Sequence, residues 1–126
     1  MRWLLHGNMT GAVSEALVRH GHTAKTATEL GIEATDLAEI LKAANTNRLD
    51  VLTADPGLAN APFDQGVAFG RSIIFLQLQG GDVEQNDAID RLFERYKRLT
   101  PGRLYTVTAT RVKVRQLPEK PVRTKL

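Results

Sequence analysis

Four residues stand where this chain could do chemistry: His6, Asn8, Asp36 and Asp55. His6 and Asn8 follow the apolar run Trp3-Leu4-Leu5, which reads as a short buried strand ending in a polar turn. Asp55 follows another strand-like run, Asp50–Ala54, the third along the chain, and Asp36 opens the helical pattern before it. In an open parallel sheet, ligands collect beyond the carboxyl ends of the strands. Carboxylates gathered there can hold a divalent cation and an anionic substrate. Each residue also has a local reading. Asp36 suits an N-cap. Asp55 can initiate the turn into Pro56-Gly57, and Asn8 can close its own turn. A histidine at a strand end is more often a hydrogen-bonded rim residue than a ligand.

Other chemistries lack a signal. No Gly-rich run precedes Lys-Ser or Lys-Thr, no GxGxxG follows a strand, and no Gly-x-Ser-x-Gly elbow is present. His6, His20 and His22 do not have zinc-peptidase spacing, and the absence of cysteine excludes disulfides and thiolate-bound zinc. His20 and His22 flank Gly21 at an expected helix end, where a cation would complement the helix dipole, and read as structural.

Strand and helix patterns alternate along the chain and predict an α/β fold. Arg2–Leu5 is the first strand. A helix capped by Thr10 follows, with Val13, Ala16 and Leu17 inward, and His22–Ala27 forms the next strand. Asp36 and Glu39 have capping-box spacing before a helix that buries Leu37, Ile40, Leu41 and Ala44. Asp50–Ala54 is the third strand. Pro62, Gly66 and Gly70 predict a loop with a short helical turn over Asn60–Phe69. Ser72–Leu78 is the fourth strand. Asp82–Leu99 is an amphipathic helix burying Val83, Ile89, Leu92, Phe93, Tyr96 and Leu99. Leu104–Thr108 and Arg111–Arg115 alternate as a late strand pair, and from Leu117 onward the chain reads as loose and basic.

Length and charge set the outer limits. The chain has 126 residues, enough for one domain over 1–118 with a basic tail over 119–126. No apolar run reaches the roughly 18 residues of a membrane helix, and no signal peptide is read; with the absence of cysteine, this leads to an expected cytoplasmic protein. The net charge of +3 is unevenly spread. Residues 91–126 hold eleven Lys and Arg against Glu94 and Glu119, hence +9, and residues 1–90 carry −6. Such a segment can be a footprint for nucleic acid or a solvated strand pair.

The whole resembles the short bacterial PIN-like domains. Met1-Arg2-Trp3-Leu4-Leu5-His6-Gly7-Asn8 is similar to their apolar–Leu-Leu-Asp-Glu-Asn opening, and Leu17–His22 to their helix-end Gly-His. Glu29-Leu30-Gly31 with Ala34–Leu41 resembles their Leu-Gly … Ser-Asp-Glu-Glu-Ile-Leu. Val51–Leu58 resembles Val-Thr-Arg-Asp-x-Asp-Phe, and Val112–Pro118 resembles Arg-Val-Arg-x-Leu-Pro. The resemblance covers most of residues 1–58 and a patch at 104–118. It implies a three-layer fold with a mainly parallel central sheet flanked by helices, closed by a C-terminal strand pair. It also implies kinship with metal-dependent ribonucleases of toxin–antitoxin pairs. On that reading Asp36 and Asp55 are catalytic, and with His6 they ligate Mg²⁺ or Mn²⁺. His6, Asn8, Arg111, Lys113 and Arg115 bind RNA, while a cognate antitoxin and a homodimer are the expected partners.

The chain departs from that pattern at the acids. His6 stands for the first, Gly7 for the following Glu, and Gly57 for the second acid of the Asp-x-Asp pair. Mg²⁺ prefers oxygen ligands, and imidazole suits Mn²⁺, Zn²⁺ or Ni²⁺ better. Losing one charge about 4 Å from a cation forfeits several kcal/mol at an intermediate dielectric. The expectation is therefore a ribonuclease relative with a weakened or altered site. The alternative is a catalytically silent domain that binds nucleic acid or a protein. A third reading is an unrelated small ligand in the strand-end cleft.

Overall fold

The computed structural model describes residues 1–7, 11–32, 36–78 and 81–118. Asn8, the Thr10 cap and the tail from 119 lie outside the described residues. The elements alternate as the hydrophobic pattern requires. They are β1 (Arg2–His6), α1 (Gly11–Arg19), β2 (Thr23–Thr26), α2 (Leu37–Thr46), β3 (Asp50–Thr53), α3 (Pro56–Asp64), β4 (Ile73–Leu76), α4 (Asp82–Arg95), β5 (Arg103–Val107) and β6 (Val112–Gln116). One six-stranded sheet runs β2-β1-β3-β4-β5-β6. Its first five strands are parallel, and β6 returns antiparallel to β5 at the edge.

Helices cover both faces, so the central strands are apolar on both sides. One face buries Trp3, Leu52, Ile74 and Tyr105 against Val13, Ala16 and Leu17 of α1 and Ile89, Leu92 and Phe93 of α4. The other buries Leu4, Val51, Ile73 and Leu104 against Ile40 and Leu41 of α2 and Leu58 and Ala61 of α3. Each such fully buried Leu or Ile contributes roughly 1.5–3 kcal/mol relative to exposure. This is the expected three-layer α/β architecture with a C-terminal strand pair.

Four local expectations are corrected. The segment after Asp55 is a nine-residue helix, α3, where only a loop with a short turn starting at Asn60 was expected. Pro56 sits in its first turn, where a missing N–H costs nothing. Pro62 is carried inside it because Leu58, Ala59 and Ala61 are buried. Helix α4 stops at Arg95: Tyr96 turns extended and packs edge-on against Tyr105, with ring centroids 5.5 Å apart. Val83 is 73% exposed, since burial along α4 begins only at Ala88. Leu117 belongs to the fold, being 2% exposed with its N–H donated to the Gly102 carbonyl at 2.9 Å.

Candidate functional site

From β1 the chain crosses to β2 on one side and later returns to β3 on the other side of β1. Such a reversal leaves a crevice between the two strands at their carboxyl ends. β1 and β3 end together there, with His6 paired to Thr53 in register. Both side chains follow Leu4 and Val51 by two residues, which puts them on the face of α2 and α3.

The contacts at this corner are specific. His6 Nδ1 lies 3.0 Å from Thr53 Oγ1, and the Asp55 backbone N–H donates to the same oxygen at 2.9 Å. Thr53 is fully buried and His6 half-buried. Thr53 was not singled out from sequence. Its signal was a hydroxyl closing an apolar strand two residues before an aspartate.

Both aspartates cap helices. Asp55 Oδ1 accepts from the Gly57 N–H at 2.8 Å at the start of α3, and Asp36 Oδ1 accepts from the Ala38 N–H at 3.3 Å at the start of α2. The two helix starts are close, because a Cβ on Gly57 would lie 3.2 Å from Leu37 Cδ1 and 3.2 Å from Asp55 Oδ1. Gly7 has φ +94°, and a Cβ there would come 3.4 Å from the Ala54 backbone nitrogen. The positions where the resemblance calls for acids are thus a left-handed turn and a helix–helix contact that suit glycine. Among the described residues no three His, Asp or Glu side chains stand close enough to hold one metal ion. His6 and Asp55 stand at the ends of the paired strands β1 and β3, and Asp36 stands at the start of α2.

The basic residues lie elsewhere on the sheet. Lys113 and Arg115 are exposed on β6, opposite Thr106 and Leu104, and so share the α2–α3 face. The Arg115 guanidinium lies 3.7 Å over the Phe63 ring of α3, which holds it flat against the protein. Arg111 is exposed in the β5–β6 turn, where its N–H donates to Thr108 Oγ1 at 3.1 Å. Four inter-strand steps separate β1 from β6, roughly 19 Å at the usual spacing. The structure therefore does not bring Arg111, Lys113 and Arg115 to the His6 corner.

His20 and His22 are structural, but His22 is not the cation that its helix-end position suggested. The indole N–H of Trp3 donates to His22 Nδ1 at 3.1 Å, which requires an unprotonated nitrogen. Burial, with smaller contributions from the chain's N-terminal charge and His20, pushes its pKa down to about 4. His20 Nε2 lies 2.8 Å from Asp90 Oδ1, and Arg19 reaches the same carboxylate at 3.1 Å. The His20 hydrogen bond, then Arg19, holds the Asp90 pKa below the usual carboxylate value.

A pocket of about 310 Å³ opens at the opposite, amino end of the parallel strands, lined by Asn45, Phe69, Gly70, Gly102, Gln116 and Leu117 among others. It is remote from the strand-end cleft in which a small ligand was considered. Among the described residues no helix is long and apolar enough to cross a membrane. The site and sheet define a doubly wound α/β domain. Comparison with family models, curated proteins and solved structures finds no match.

Proposed function

We propose that this chain is a nucleic-acid-binding domain of PIN-like descent, with RNA as its ligand and a corner that no longer supports metal-dependent cleavage. One observation carries the reading: residues 91–118 hold eight Lys and Arg against the single acid Glu94, and Arg111, Lys113 and Arg115 are all exposed. Cations arrayed along a strand edge neutralise phosphates without reading sequence, which gives salt-dependent, sequence-tolerant binding. Arg115 braced on Phe63 is already ordered, so it loses less freedom when a phosphate arrives.

A second reading is an active ribonuclease using Mg²⁺ or Mn²⁺ through His6, Asp36 and Asp55. The placement of His6 and Asp55 at adjacent strand ends favours it, and the lack of a third donor among the described residues weighs against it. A cognate antitoxin and a homodimer rest on the same resemblance, and a cytoplasmic setting rests on the lack of cysteine and of a signal peptide in the sequence.

The test is single-stranded RNA incubated with the protein in chelator, in Mg²⁺ and in Mn²⁺, wild type beside Asp55→Asn. Expected is retained binding in chelator and no cleavage that distinguishes the two proteins. Metal-dependent cleavage lost in Asp55→Asn would establish the second reading instead.

A further inference from the structure

We infer that Thr53 locks His6 in the neutral tautomer with its proton on Nε2, so that the β1–β3 crevice offers an N–H donor to a phosphate oxygen. The argument is a count of protons at one hydroxyl. Thr53 Oγ1 accepts the Asp55 backbone N–H, and a backbone N–H can only donate. The other described partner of this oxygen is His6 Nδ1 at 3.0 Å. If Nδ1 carried the proton, the hydroxyl would accept twice. Its own hydrogen would then have no acceptor among the described residues, at a position closed to water. If Nδ1 carries the lone pair, Asp55 N–H donates to Thr53, and Thr53 O–H donates to His6. Every group is then satisfied, and the ring proton falls on Nε2.

The consequence is a choice of ligand class. Among the described residues Nε2 has no hydrogen-bond partner, and in this tautomer it has no lone pair to give a cation. Ligating a metal would require the other tautomer and would strand the Thr53 proton. An N–H donor instead complements an acceptor oxygen. Phosphate oxygens are such acceptors. Thr53 is a positioning residue here, acting through His6. The inference does not rest on RNA binding at β6 and can fail independently of it.

The experiment is long-range ¹H–¹⁵N correlation of the imidazole rings in uniformly ¹⁵N-labelled protein at pH 8, with His6→Gln to assign the His6 signals. Expected is a protonated Nε2 and an unprotonated Nδ1 in a ratio of at least about ten to one, the size of effect set by stranding a buried donor. In Thr53→Val the ratio falls toward that of a free histidine, and Thr53→Ser restores it. Inorganic phosphate moves the His6 ring signals, whereas Mn²⁺ does not broaden them selectively. A protonated Nδ1 in the wild type, or a ratio unchanged in a folded Thr53→Val, overturns the lock. Selective Mn²⁺ broadening of His6, or a ring unmoved by phosphate, overturns the ligand class. Should Thr53→Val not fold, the wild-type spectrum and Thr53→Ser decide.

Discussion

Acidification should loosen this protein through one side chain, His22. In the fold His22 is neutral because it is partly buried and accepts the Trp3 indole N–H, and its pKa falls from 6.5 to about 4. The unfolded chain therefore binds a proton that the folded chain refuses between those two values. Stability is fully present above about pH 6.5 and is lost as pH falls toward 4. An unscreened shift of this size would cost about 3.4 kcal/mol. His22 is half-exposed, so solvent screening reduces the expected loss to roughly 1–2 kcal/mol. Asp90 does not confuse this window. Its folded pKa lies below its unfolded value, so its contribution is present above about 3.8 and lost only in stronger acid. The assay is urea unfolding at pH 7.5 and 4.5, followed by the fluorescence of Trp3, the sole tryptophan. His22→Asn keeps an acceptor for the indole and removes the titration. Its stability should vary less between the two pH values than that of the wild type, by that same amount. Equal pH dependence in the two proteins would refute the reasoning.

Three further outcomes are expected. Gly7→Ala forces an L-residue to φ +94° against the Ala54 backbone and should cost about 1–2 kcal/mol, read as a lower urea midpoint with an unchanged slope. Asp50 is 1% exposed; its carboxylate accepts the Ser72 N–H at 2.9 Å and lies 3.4 Å from Arg71, so Asp50→Ala should cost about 2–3 kcal/mol by the same assay. Asp36→Ala and Asp55→Ala should each lose about 1 kcal/mol as helix caps, checked by thermal unfolding in chelator, where no metal contributes.

The sheet was legible because strands and helices announce themselves locally. Continuous apolar runs placed β1, β3 and β4 to within a residue or two, and the Asp36 cap marked the start of α2. Helix α3 was not legible, since Pro56, Gly57 and Pro62 weaken every local helix signal and burial against the sheet supplies the compensation. Val83 was misplaced because periodicity gives a helix face without telling which turn reaches the core. At the site, the residue types at strand ends were readable one by one. The His6–Thr53 bond depends on the register of strands 47 residues apart, and the neutrality of His22 depends on Trp3, 19 residues away. The clustering of positive charge after residue 90 was visible in the sequence, but its separation from His6 appears only once β6 is placed at the far edge of the sheet.

The central claim, phosphate binding along β6 without metal, is tested most directly by the salt dependence of RNA affinity in chelator. Log affinity of the wild type should fall linearly with log salt, and Lys113→Ala/Arg115→Ala should reduce the slope by about 1.4, near 0.7 for each lost phosphate contact on a single strand. An identical slope in the two proteins, or binding that vanishes with chelator, would contradict it.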